Sequence, residues 1–117
     1  MSTASPTATC RTGIDEMLAR LRARFLSTYR DQHIEILGYY NALQAGNADD
    51  ETFGRAVHVL HRIGGTAGTL GLDSLSDAAR TAERNLSNLP PAYRENLALQ
   101  IALYDFLIVS TEFTNAP

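Results

Sequence analysis

The spacing of apolar residues constrains this chain more than any other feature of its sequence. In the first half they recur mostly at steps of three or four, the period at which one face of an α-helix repeats. They are Ile14, Met17, Leu18, Leu21, Phe25, Tyr29, Ile36, Tyr40 and Leu43. No segment shows the strict alternation of a half-buried β-strand. The pattern therefore predicts an all-α protein.

Glycine and proline separate the helical segments from one another. Gly46–Asn47 ends the first helix, Gly71 ends a second that runs from about Glu51 to Leu70, and Pro90–Pro91 opens the last. Because the connections are short, consecutive helices are expected to run in opposite directions. The sequence predicts an antiparallel four-helix bundle with a short N-terminal extension.

Caps and apolar stripes add detail to this bundle. Asp49–Asp50 is predicted to cap the second helix, and Asp73 or Ser74 to cap the third. The third helix is predicted to bury Leu75, Ala78, Ala79, Ala82 and Leu86. The last is predicted to be a core helix, whose apolar repeat consists of Tyr93, Leu97, Ile101, Tyr104 and Ile108.

Length and composition limit the domain organisation and the partners. The chain of 117 residues is long enough for one domain. We predict a disordered or partly helical leader at 1–12, the bundle at 13–113 and a frayed tail at 114–117. A net charge of −3 without a basic block argues against nucleic acid as a partner. The leader has no secretory pattern, no segment suits a membrane span, and Cys10 has no disulfide partner. We expect a cytoplasmic protein without a membrane partner.

The second helix contains more glycine than a helix ordinarily tolerates. Its sequence AVHVLHRIGGTAGTLG, from Ala56 to Gly71, holds two histidines and three interior glycines. Each interior glycine costs about 1 kcal/mol relative to alanine, so Gly64, Gly65 and Gly68 together cost roughly 3 kcal/mol. Such a cost requires either a break in the helix or a role for the glycines.

A helical wheel shows that the apolar period continues through these glycines. Phe53, Ala56, Val59, Leu60, Ile63, Ala67 and Leu70 fall within one arc of roughly 120°. His61 points about 140° away from the centre of that arc, with Gly54, Gly65 and Gly68 within roughly 40° of its direction. We therefore predict that His61 stands on a bare, solvent-facing strip.

Two interpretations of this strip remain open. Small residues can let another helix approach closely, which would be a packing role. Alternatively, they leave space beside His61 so that this residue can enter the active-site cleft of another protein. Val57 would then be an apolar contact at the edge of the docking surface. An exposed imidazole is largely unprotonated near neutral pH and can attack phosphorus. No phosphate-binding loop or Ser–His–Asp order accompanies His61.

The stretch resembles the histidine-containing phosphotransfer (HPt) domain of multistep two-component signalling. That family's pattern is His, any residue, Leu, Lys, Gly, and a further Gly ten residues after the His. Here His61, Ile63, Gly65 and Gly71 occupy the matching positions. The resemblance implies that His61 accepts a phosphoryl group from, and donates it to, the aspartate of receiver domains. It also implies that Mg²⁺ is bound by the receiver, and that this chain has no cofactor and no ATP-dependent kinase activity.

One residue departs from the family pattern. The usual Lys, three residues after the histidine, is Gly64 here. Arg62, or Arg80 and Arg84 on the next helix, are candidates to supply the missing positive charge. Besides His61, the residues expected to surround the phosphoryl group or to contact the partner are Val57, His58, Arg62, Gly64, Gly65 and Gly68.

The other titratable residues receive less specific predictions. His58 lies three residues before His61, but two histidines without a third ligand are weak support for metal binding, and no metal site is predicted. His33 and Glu83 are expected to be surface residues. The alternative functions are a non-phosphorylated adaptor or inhibitor that docks on a receiver or kinase, and a structural domain that dimerises through the glycine strip. A monomer is expected.

Overall fold

The computed structural model describes residues 6–47, 49–88 and 97–114, with side chains from residue 13 onward except residue 98. They form four helices: α1 (Pro6–Gln44), α2 (Asp50–Thr69), α3 (Asp73–Ser87) and α4 (Leu97–Thr111). These ranges contain no strand, and no helix in them is long and apolar enough to cross a bilayer. The predicted all-α class is confirmed.

The four helices pack around one apolar core. Helices α1 and α4 are antiparallel, since Tyr29 contacts Ser110 and, farther along α1, Tyr40 contacts Tyr104. A tight turn between α2 and α3 reverses the chain there too. The largest fully buried apolar side chains of the core are Tyr29, Phe106, Ile36, Leu60, Ile63, Leu75, Leu86, Leu99 and Leu103. This arrangement confirms the predicted antiparallel four-helix bundle.

The first helix begins inside the segment predicted as a leader. It starts at Pro6, so residues 6–12 continue into α1 as helix. Proline suits the first helical position because the N–H that it lacks would have no partner within the helix. Thr114 forms a hydrogen-bonded turn with Thr111. The predicted opening at Pro90–Pro91, Tyr93, residues 1–5 and residues 115–117 lie outside the described residues.

Glycine ends α1 and α2 as predicted. Gly46 and Gly71 have φ values of 74° and 77°, a left-handed conformation that side chains disfavour. After α2, the N–H of Leu72 donates to Ala67 O at 2.8 Å and the N–H of Gly71 donates to Gly68 O at 3.2 Å. These two bonds form a Schellman motif, which satisfies the last carbonyls of the helix and reverses the chain.

The predicted helix caps have different outcomes. Asp49 caps α2, because its Oδ1 accepts a hydrogen bond from the N–H of Thr52 at 2.8 Å. Hydrogen bonding from Thr52 to the ionised carboxylate lowers the pKa of Asp49. For α3, the prediction of Asp73 or Ser74 is wrong. The N-cap is Leu72, without a side-chain cap, because the tight turn at Gly71 starts α3 at Asp73.

The apolar face predicted for α4 is wrong. Its described members are about half exposed or more: Leu97, Ile101, Tyr104 and Ile108. The buried face consists of Leu99, Ala102, Leu103, Phe106 and Leu107. Apolar residues surround this helix almost completely, so their period alone cannot select the side that packs.

His33 also differs from its prediction as a surface residue. It lies on α1 and is half-buried at the interface with α4, where its Nδ1 lies 2.8 Å from Ser110 Oγ. The same Oγ lies 2.6 Å from the buried hydroxyl of Tyr29. Burial lowers the pKa of His33 and raises the pKa of Tyr29 to about 12. This network gives the α1–α4 interface specific polar contacts.

Candidate functional site

His61 lies on the outer face of α2, as the helical wheel predicts. Its side chain is 75% exposed. The opposite arc is buried in the core, with only Phe53 half-buried: Ala56, Val59, Leu60, Ile63, Ala67 and Leu70. The apolar period of α2 therefore selects the exposed face correctly.

Glu83 on α3 contacts the exposed histidine. The Nδ1 atom of His61 lies 3.0 Å from Glu83 Oε2, and the Glu83 side chain is only 26% exposed. The sequence interpretation expected Glu83 to be a solvated surface residue, and the structure shows it half-buried beside His61. Glu83 is a candidate site residue that the sequence interpretation missed.

The α2–α3 hairpin explains why these two residues meet. Three cross-helix pairs are in contact or near contact: His61 with Glu83, Gly64 with Arg80, and Gly68 with Ser76. The two members of each pair lie equally far from Leu72 in the sequence. Once the turn is centred there, the antiparallel register places Glu83 opposite His61. Pairing residues at equal distances from Leu72 in the sequence would therefore have predicted the contact between His61 and Glu83.

The contact with Glu83 determines which nitrogen of the neutral imidazole is available. An ionised carboxylate only accepts hydrogen bonds, so the proton lies on Nδ1, which donates to Oε2. The Nε2 atom then carries the free lone pair. Since the ring is mostly exposed, this nitrogen is accessible to a group on another molecule.

The glycines of α2 have two separate roles. A Cβ added at Gly64 would lie 3.0 Å from Arg80 Cγ, and one added at Gly68 would lie 3.0 Å from Ser76 Oγ. Ser76 Oγ also donates a buried hydrogen bond of 2.8 Å to the carbonyl oxygen of Gly64. Gly64 and Gly68 therefore allow α3 to approach α2, which is the packing interpretation left open by the sequence.

Gly54 and Gly65 are open instead. Both are exposed, and a Cβ at either position would meet nothing within 4 Å. The predicted bare strip is therefore only partly correct, because Gly68 is half-buried against α3. The space beside His61 is bare at Gly65, and α3 borders it on one side.

Arg80 brings a positive charge across this glycine pair. Its Cγ lies against Gly64, and its Nη2 would lie 3.1 Å from a Cβ at Gly68. Arg80 is exposed, and no ion pair joins it to another described residue. The neighbouring helix thus places a guanidinium along the stretch from Gly64 to Gly68.

The remaining predicted site residues lie to the sides of His61. Val57 is half-buried against the core. His58 and Arg62 are exposed on the side of α2 that faces α1, where they line a shallow depression together with Glu35. Arg84 is exposed near the end of α3. Of the candidate cations, Arg80 is the one that crosses Gly64.

Metal binding has no support from the described side chains. Within that part of the chain, no group of three or more His, Cys, Asp or Glu residues is arranged to hold a metal ion. His61 has Glu83 as its neighbour and His58 faces the α1 side.

Comparison with known proteins identifies one family. The family model described as the Hpt domain matches residues 8–107, which is most of the chain. No curated protein and no solved structure matches the chain significantly.

The two glycine roles predict opposite responses to alanine. Gly65→Ala is expected to raise the free energy of unfolding by roughly 0.5–1 kcal/mol, the helix-propensity difference, because its Cβ meets no other atom. Gly64→Ala is expected to lose most of that gain, since Arg80 must move away. Urea unfolding of both variants measures the difference. Equal stabilisation would contradict the close packing described at Gly64.

Proposed function

Since the chain belongs to the Hpt domain family, which serves histidine phosphotransfer in phosphorelays, we propose that His61 is its phosphoryl-accepting residue. The single observation that carries this proposal is the exposed imidazole whose Nδ1 is held by Glu83. His33 is half-buried and bonded to Ser110, and His58 faces α1. His61 alone combines exposure, an oriented ring and open space at Gly65.

The transfer step follows from the tautomer of His61. The Nε2 lone pair attacks the phosphorus of an aspartyl phosphate on a receiver domain, and the bond from phosphorus to the aspartate oxygen breaks. The aspartate leaves as a carboxylate, and the phosphorylated ring becomes a cation with its proton on Nδ1. Glu83 accepts a charge-assisted hydrogen bond from that proton and so stabilises the cation. The reverse step returns the group to a receiver aspartate.

The receiver is expected to contribute the remaining components. Its aspartate is the donor or acceptor, and its bound Mg²⁺ neutralises charge on the phosphoryl oxygens. This chain then functions as a carrier, without a cofactor or ATP-dependent kinase activity of its own. We propose that it acts in the cytoplasm, where the receiver domains of response regulators or hybrid histidine kinases would be its partners.

The experiment combines the protein with a panel of phosphorylated receiver domains and Mg²⁺ and follows its intact mass. An added phosphate that is acid-labile and base-stable is expected on the natural chain and absent from His61→Gln. His58→Gln is the matched control, because that histidine is exposed one turn away, and it should still be labelled. If His61→Gln still accepts phosphate, the proposed site is incorrect. If the natural chain binds receivers but is never labelled, it is an adaptor.

Glu83 is proposed as a positioning residue for His61. Loss of a hydrogen bond to a charged group costs about 1.5–3 kcal/mol, so Glu83→Ala is expected to slow transfer roughly tenfold or more. Nitrogen-15 NMR should show a shift from the Nδ1–H tautomer toward Nε2–H in the same variant. Glu112→Gln, an exposed acid beyond α4, controls for loss of charge. Unchanged tautomer and rate in Glu83→Ala would remove this role.

Arg80 is proposed to supply the cation that Gly64 lacks. The phosphoryl group on His61 would carry negative charge one helical turn from Gly64, which the Arg80 side chain crosses. Arg80→Gln is therefore expected to change the phosphohistidine lifetime or the transfer rate by severalfold, as a loss of about 1 kcal/mol would. Arg62→Gln, on the α1 side, should have a smaller effect. If Arg62→Gln changes the lifetime or the rate more than Arg80→Gln does, Arg62 supplies the charge instead.

A further inference from the structure

The first helix extends well beyond the bundle. It has 39 residues, whereas the other helices have 20, 15 and 15. Its core contacts begin at Phe25, and Tyr29 and His33 already meet Ser110 in the last turn of α4. Residues 6–24, which we call the α1 arm, therefore project past the end of α4. At 1.5 Å per residue the arm is about 28 Å long, within a longest molecular dimension of 65 Å.

The arm carries an apolar stripe that the described part of the chain covers only partly, since Leu18 is half-buried and other members are exposed. Ile14, Leu18, Leu21 and Phe25 follow one another at steps of four, three and four, on the face that buries Tyr29 farther along α1. Ile14 is 53% exposed and Leu21 is 42% exposed. A helix without tertiary packing is only marginally stable in water. The stripe therefore needs a covering partner if the arm is to stay helical.

The steps of four and three are those of a coiled-coil seam. In heptad notation Ile14 and Leu21 occupy d positions, and Leu18 and Phe25 occupy a positions. Such a seam packs against another helix with the same repeat. A second copy of this chain supplies one by definition.

The charges beside the seam favour one orientation of that second copy. Asp15 and Arg22 are seven residues apart, so they lie on the same flank of the stripe, in e positions. Neither has an ion pair within the part of the chain that is described. Arg22 is half-buried in the single chain, and its Nε atom is buried there without a hydrogen-bond partner, so the guanidinium lacks a full set of acceptors.

We propose that the α1 arm pairs with the arm of a second copy in an antiparallel two-stranded coiled coil. Leu18 then packs against Leu21 of the second copy, and Ile14 against Phe25 of the second copy. Equivalent flanks face each other in this orientation, so Asp15 lies beside Arg22 of the second copy, and the two-fold axis repeats the pair. A parallel pair would place Arg22 beside Met17, which carries no opposite charge.

The interface is separate from the proposed phosphotransfer site. All of its residues lie on α1, whereas His61 lies on the outer face of α2. Dimerisation through the arm would therefore replace the monomer expected from the sequence while leaving the imidazole exposed. The test of dimerisation measures molecular mass alone, so a failure to dimerise is distinguishable from a failure of phosphotransfer.

Sedimentation equilibrium of the full chain, over a roughly hundredfold range of concentration, tests the proposal. The natural chain is expected to be dimeric at the upper end of that range. Asp15→Arg and Arg22→Asp should each raise the dimer dissociation constant by about tenfold or more, because each turns two attractive pairs into repulsive ones. The double variant with both substitutions restores the opposite charges, so it should dimerise within roughly threefold of the natural chain.

Two further variants compare the arm with the exposed stripe of α4. Leu21 and Ile101 are both about half exposed in the single chain, so they form a matched pair. Leu21→Asp is expected to give a monomer, because Leu21 lies in the proposed interface. Ile101→Asp lies outside it and should leave the dimer unchanged. The thermal unfolding of the bundle, followed by circular dichroism, identifies any variant that fails to fold. A natural chain that stays monomeric throughout, a double variant that fails to recover, or dissociation by Ile101→Asp alone would each overturn the proposal.

Discussion

The close contact between α2 and α3 is the constraint on which the site depends. Gly64 and Gly68 contribute no side chain of their own, so Arg80 and Ser76 of α3 lie directly against α2, and Ser76 donates a buried hydrogen bond to the backbone of α2. Because backbone and side chain meet directly, the two helices cannot slide past one another without losing that bond. The register of the hairpin is therefore specified, and Glu83 lies beside His61 as its consequence.

This close contact also explains why α2 contains interior glycines despite their cost in helix stability. Interior glycines destabilise a helix by about 1 kcal/mol each, yet α2 is continuous from Asp50 to Thr69. Gly64 and Gly68 permit interhelical packing that offsets their cost, whereas Gly65 lies in the open and has no such compensation. Of the three glycines that follow the exposed histidine in α2, Gly65 is thus the one without a packing role. We propose that it leaves space for a docking partner.

The sequence interpretation succeeded where one helix or one turn contains the whole signal. The buried arc of α2, the positive φ of Gly46 and Gly71, and the Asp49 cap depend on local geometry alone. It failed for α4, because a helix that is apolar on nearly every side has no unique buried face. It also failed for α3, where a tight turn at Gly71 displaced the predicted side-chain cap.

The sequence by itself determined the helices, the exposure of His61 and the Hpt pattern around it, because each depends on spacing along one continuous helix. Only the tertiary structure decided that Glu83 holds the imidazole, that Arg80 crosses Gly64 and that the α1 arm projects past the end of α4 with its apolar stripe partly exposed. These features depend on the register between helices and on where neighbouring helices end. Helical periodicity describes the faces of a helix, but it contains no information about what each face meets.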